Sequence, residues 1–164
     1  MTGLPDPQAP AAGHRPEFCA PRARGRLLAA AILASSLGYI DGTVVAIALP
    51  EMRASLGASL GQTQWFQNGY MLSLTALMIV GGALGDRHGV ARVVGGGIAL
   101  FLVASLACGL ATGPQSFIAA RVVQGVGAAM MVPGSLALIA RTYPPEERGR
   151  AIGIWAAASA VTTA

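Results

Sequence analysis

The sequence predicts an all-α integral membrane protein with four full transmembrane helices and a truncated fifth. Three observations lead there. Of its 164 residues 54% are hydrophobic and only 11% charged, whereas a soluble domain carries about 25% charged residues. Apolar runs long enough to cross a bilayer recur with almost no charge inside them. The arginines gather in alternate segments between those runs.

Composition excludes several classes. A mean hydropathy of +0.59 rules out disorder for most of the chain. Cys19 and Cys108 are too few for a disulfide scaffold or a four-ligand zinc site, and His14 and His88 add no metal site. The net charge is +4, and all 11 basic residues are Arg. A basic balance suits nucleic acid or the cytoplasmic side of a membrane protein. Their placement decides for the second, so no nucleic-acid partner is expected.

Residues 1–26 hold five of the ten prolines, four arginines and no apolar run. They read as a disordered basic cytoplasmic tail. Helices are expected over about 27–50, 64–85, 92–112, 116–141 and 150–164. The runs are continuous rather than alternating, which favours helices over barrel strands. At 1.5 Å per residue, about 20 residues cross a ~30 Å core, so the first four suffice. The fifth is still apolar at Ala164, where the chain looks cut off inside a helix.

Arg15, Arg22, Arg24 and Arg26 precede the first helix; Arg87, His88 and Arg92 lie between the second and third; Arg141, Arg148 and Arg150 lie between the fourth and fifth. The 1–2 loop has only Arg53, offset by Glu51, and the 3–4 loop has no charge. The arginine-rich side is cytoplasmic by the positive-inside rule. A multi-pass protein of the plasma (inner) membrane follows, with its N-terminus inside. The similar segments 24–31 and 148–155 mark a shared helix border more readily than a repeat.

Two charges stand within the membrane, Asp41 and Arg121. Each costs about 2.5–3.5 kcal/mol at mid-helix, so such residues are usually paired and functional. Asp41 lies roughly 21 Å from the cytoplasmic entry and Arg121 roughly 7 Å from the outer face, so both occupy the outer half. A direct ion pair, or one bridged by Gln124, is open at these depths; the alternative is an Asp41 that snorkels or lines an inert interface. On the fourth helix, Arg121, Gly125 and Ala129 are spaced by four, giving a small-residue stripe for close packing with Gly127 nearby. Pro133 and Gly134 can kink that helix.

In the loop GGALGDRHGVAR (81–92), Gly82 and Gly85 permit close backbone approach and Gly89 suits a cap or tight turn. Taken alone, this loop reads as a short turn with solvated charges. A phosphate cradle is excluded, because the chain has no P-loop pattern.

GALGDRHGVAR resembles the loop 2–3 signature of the major facilitator superfamily, GxLaDrxGrk, at Gly82, Leu84, Asp86, Arg87 and Gly89. RVVQGVGAA (121–129) resembles the family's helix 4 signature at Arg121, Gln124, Gly125 and Gly127. IDGTVVAIALP (40–50) looks like the helix 1 signature of the drug/proton antiporter branch with 14 helices, at Asp41, Thr43, Ala48 and Pro50. PPEERGRAIGIW (144–155) is similar to the family's helix 4–5 border. The likeness covers 27–164. Val90 and Ala91 stand where the family has a basic pair, with Arg92 the nearest substitute.

The resemblance implies the N-terminal part of a six-helix bundle and proton-coupled efflux of drugs or other small amphipathic molecules. No cofactor is implied; the proton gradient is the driving force. Asp41, Arg121 and Gln124 would serve proton coupling and substrate response. Gly82, Asp86, Arg87, Gly89, Arg92, Glu146 and Arg148 would form a conformational latch, with Glu146 and Glu147 candidate partners of its arginines. Gly125, Gly127, Ala129 and Pro133 would pack the helices. The expected partners are the lipid bilayer, a small-molecule substrate and a missing C-terminal part, without which the chain would be inactive. The alternatives are a small four-helix oligomeric exporter and a superfamily importer. An intramembrane serine hydrolase lacks a Ser–His pair in the helices, so no enzyme is expected.

Overall fold

The computed structural model describes residues 21–161, which form five α-helices and, among those residues, no strand. They are α1 Pro21–Ser55, α2 Leu60–His88, α3 Val90–Gly109, α4 Pro114–Thr142 and α5 Pro145–Val161. The first four are long and apolar enough to cross a membrane.

The helix limits differ most from the sequence reading at three places, each for a local reason. Of the expected tail over 1–26, residues 1–20 lie outside the described residues. Residues 21–26 form the first turns of α1 instead. Pro21 suits a helix start, and Ala and Arg favour its continuation. α1 also continues through Pro50 to Ser55; Pro50 removes one backbone donor without ending the helix. α5 begins at Pro145 rather than 150, because Pro at the start and Glu146 and Glu147 in the first turn all favour a helix N-terminus.

The connections are short and well capped. Ser59 and Gln62 form a capping box at the start of α2: the Ser59 hydroxyl accepts from the Gln62 N–H at 3.3 Å, and Gln62 Oε1 accepts from the Ser59 N–H at 2.9 Å. Gly89 alone separates α2 from α3. Its φ of +95° is glycine territory, and its N–H donates to the Gly85 carbonyl at 3.0 Å.

α4 is the hub, packed against all four other helices. Glycine sets these approaches. A Cβ at Gly125 would collide with the Ser73 hydroxyl and the Tyr70 carbonyl on α2. A Cβ at Gly127 would lie 2.8 Å from the Phe101 nitrogen and 2.9 Å from the Gly97 carbonyl on α3. The expected single stripe is therefore two faces, Gly125 toward α2 and Gly127 toward α3. The close α2 approach expected at Gly82 falls instead at Gly81, which presses on the Ala129 carbonyl; a Cβ at Gly82 would meet open space. Pro133 explains why that carbonyl is reachable. Four residues along from Ala129, it has no N–H to bond back to it, yet α4 runs on unbroken.

The burial pattern is inverted relative to a soluble domain. Ile47, Ile79, Leu106 and Leu110 are exposed, while Arg121, Gln124 and Ser135 are fully buried. An apolar exterior around a polar centre suits a lipid surround and has no counterpart in water. One apolar cluster, including Phe66 and Phe117 with ring centroids 4.6 Å apart, closes the bundle on one side of that centre. A second, including Ala31, Ile139 and Ala151, joins α1, α4 and α5 near the arginine-rich end.

Candidate functional site

Arg121 is fully buried on α4, with α2 and α3 held close to that helix by the glycine contacts. One Arg121 Nη1 donates to Asp41 Oδ2 at 2.6 Å and to Gln124 Oε1 at 2.7 Å. Gln124 Nε2 donates to Asp41 Oδ1 at 2.7 Å. The three side chains thus close a triangle in which both carboxylate oxygens are bonded. Arg121 and Gln124 share one face because they are three apart on a helix. Asp41 comes from the middle of α1.

The triangle is anchored to α2. Arg121 Nε donates to the Phe66 carbonyl at 3.0 Å, and the guanidinium lies over the Tyr70 ring, 4.4 Å from its centroid. Cys108 of α3 makes a long sulfur contact to Gln124 Oε1, at 3.7 Å. Four helices therefore meet at this one polar node. Sequence reasoning missed Phe66 and Tyr70. The first contributes only a backbone carbonyl, and the second depends on the register of α2 against α4.

The Arg121 side chain is 1% exposed and that of Asp41 15%. A buried ion pair offsets its desolvation only with good geometry and further hydrogen bonds. Here the carboxylate has its two donors. The arginine has three acceptors and an aromatic face, while its Nη2 has none. The asymmetry leaves Asp41 the more accessible partner of the pair.

Next to the triangle lies a cavity of about 520 Å³, walled by α1, α2, α4 and α5. Gly38 and Gly42, on either side of Asp41 in α1, line it, as do Tyr39, Tyr70 and Trp155. Trp155 is held by a 3.0 Å bond from its Nε1 to Ser35 Oγ. Tyr70 belongs to both the cavity wall and the Arg121 contact, which joins the two physically.

The other expected residues do not converge. Asp86 pairs with Arg141 at 2.7 Å, both exposed, and not with Arg92 or Arg148. The α2–α4 packing brings the last turns of those helices together, and Arg141 is in the last turn of α4. Glu147 pairs with Arg24 at 3.2 Å, joining α5 to α1. Among the described residues Glu146, Arg87 and Arg92 make no ion pair. Arg148 Nη2 reaches the Tyr143 carbonyl at 3.5 Å. The latch region forms two separate clips and a glycine turn; Glu147 is paired, but with Arg24 rather than with Arg87, Arg92 or Arg148.

Residues 31–164 match the sequence profile of the Major Facilitator Superfamily. The probable actinorhodin transporter of Streptomyces coelicolor is 41% identical over 149 residues, covering 91% of this chain and 25% of that protein. The tetracenomycin C resistance and export protein of Streptomyces glaucescens is 42% identical over 125 residues, covering 76% of this chain and 23% of that protein. The chain spans about a quarter of the length of these curated relatives. Among solved structures, a bacterial homologue of the human lysosomal transporter Spinster, in an inward-facing and unoccupied conformation, matches with a TM-score of 0.78. It is 24% identical and covers 88% of this chain and 30% of that one, a likeness of fold.

Proposed function

The chain belongs to the major facilitator superfamily, and from that premise we propose that its five helices form part of the N-terminal bundle of a proton-coupled efflux transporter for amphipathic small molecules. The observation that carries the proposal is the closed Asp41–Arg121–Gln124 triangle beside an aromatic-walled cavity. A proton and a substrate then act on one connected structure. Protonation of Asp41 loosens Arg121; Arg121 rests on Tyr70; Tyr70 forms part of the cavity wall. A relative named as a tetracenomycin C resistance and export protein supports export over import.

On this reading the protein sits in the plasma membrane with its N-terminus in the cytoplasm, an orientation supported by the arginine distribution. Its driving force is the proton gradient, and its partners are lipid, the substrate and the remaining helices of the fold. The Asp86–Arg141 and Arg24–Glu147 pairs lie at the cytoplasmic end. Both are placed to open or close as helices rock about the central site.

The test is drug-dependent proton release from the purified full-length protein. Asp41→Asn removes the titrating group at nearly constant shape, leaving one of its two acceptor positions as an NH2 donor. Proton release should be lost and efflux should fall by about tenfold or more, the value of a charged hydrogen bond. Unchanged proton-driven efflux in this variant would end the reading.

A further inference from the structure

The polar side chains lining the cavity are not equally satisfied. Ser35 accepts from Trp155 at 3.0 Å, and Thr43 Oγ1 donates to the Tyr39 carbonyl at 3.0 Å. Gln67 differs. It lines the cavity from α2, yet its Oε1 is turned inward, buried, and accepts no hydrogen bond. A buried acceptor without a donor is costly. The terminal amide torsion of Gln is broad, so the oxygen is free to turn toward the cavity that Gln67 lines.

The position of Gln67 ties it to the polar node. It follows Phe66, whose carbonyl accepts from Arg121, and precedes by three residues Tyr70, whose ring carries the guanidinium. The cavity wall has no charged side chain among its lining residues. Both oxygens of the nearest carboxylate, Asp41, are taken by Arg121 and Gln124. A cationic occupant would find no free counter-charge, whereas an uncharged aromatic one would meet Tyr39, Tyr70 and Trp155.

We propose that Gln67 is a specificity-determining residue: the cavity takes an uncharged aromatic molecule bearing a hydroxyl donor, which Gln67 Oε1 receives. This rests on the transport reading above and names its substrate class. An occupant of this kind satisfies the orphan oxygen and keeps the Asp41–Arg121 pair intact. A site built to bond a hydroxyl discriminates strongly against the analogue that lacks it.

The experiment uses the full-length protein in lipid nanodiscs and three probes: 4-hydroxybiphenyl, 4-methoxybiphenyl and biphenyl-4-yltrimethylammonium. Calorimetric titration should show the hydroxyl probe binding about tenfold more tightly than its methyl ether, the worth of one hydrogen bond. Gln67→Leu should bring that ratio close to one by weakening only the hydroxyl probe. The ammonium probe should bind more weakly than the hydroxyl probe. An unchanged ratio in Gln67→Leu, tighter binding of the ammonium probe, or no binding of any probe because other helices fill the cavity would each overturn the proposal. Loss of folded protein in both Gln67→Leu and Gln67→Met would also overturn it, since the amide would then be a packing element. Failure of the proton-release test with the probe ratio intact would instead count against proton-coupled efflux and leave Gln67's role standing.

Discussion

Asp41 and Arg121, 80 positions apart in the chain, meet at 2.6 Å, and Gln124 is bonded to both. Cutting one corner should be far worse than cutting two. Arg121→Ala leaves a half-buried carboxylate with one donor, which costs up to about 3 kcal/mol. Combining Asp41→Asn with Arg121→Ala should recover part of that loss. Denaturant unfolding of the four members of the double-mutant cycle reads the coupling. Fully additive losses would mean that the two residues act independently.

Gln124 should matter more than Cys108, although both touch the node. Gln124→Leu removes a donor from the half-buried Asp41 and an acceptor from the buried Arg121, and should destabilise by about 1–3 kcal/mol per stranded group. Cys108→Ala removes only the 3.7 Å sulfur contact and should leave transport near normal. A thermal-melting series on the two variants, run with the efflux assay, separates them.

The glycines provide a steric test. Gly125→Ala and Gly81→Ala drive a methyl into the Ser73 hydroxyl and the Ala129 carbonyl respectively. Overpacking of this sort costs about 1–3 kcal/mol. Gly82→Ala, one residue from Gly81, meets nothing and should be neutral or slightly stabilising, because Ala favours helix. Equal melting temperatures for Gly81→Ala and Gly82→Ala would contradict the helix contact described here.

Asp86→Asn breaks an exposed pair, so stability should change by at most about 1 kcal/mol. Transport should nevertheless fall if the Asp86–Arg141 clip belongs to a switching interface. Arg141→Gln should have the same effect, and exchanging the two charges should restore part of the activity. Normal efflux in all three variants would reduce the clip to a solvated surface pair.

Membrane orientation is checked by single-cysteine labelling on a cysteine-free background. Positions 88 and 148 should react only from the cytoplasmic side and position 57 only from outside. Gly57 is a favourable site, since it lies in the turn between α1 and α2 with open space around it. Labelling of position 57 from the cytoplasm would invert the topology.

The parts of this fold legible from sequence were those governed by one-dimensional rules. Hydrocarbon thickness places the helices, and two isolated charges at similar depth leave open the Asp41–Arg121 pair that the structure contains. Gln124 followed from its spacing on α4. What escaped was governed by the lateral register between helices. Tyr70 meets Arg121 only because Gly125 lets α4 descend onto the Tyr70 carbonyl. Asp86 chooses Arg141 over nearer-looking arginines because that same packing aligns the ends of α2 and α4. Gly81 and Gly82 are equivalent as letters; the turn of the α2 helix points one at Ala129 and the other away.

The partners of Arg121 all precede it in the chain or lie one helical turn beyond. Asp41, Phe66 and Tyr70 have been synthesised before Arg121, and Gln124 follows within three residues. A guanidinium entering the bilayer alone would face the full insertion penalty. Here the counter-charge, the carbonyl acceptor and the aromatic face can already be waiting beside the translocon as α4 arrives. The order of helices along the chain thus doubles as an assembly schedule. Delaying α1 or deleting Asp41 should leave the fourth helix stalled at the membrane surface during biogenesis, before any question of transport arises.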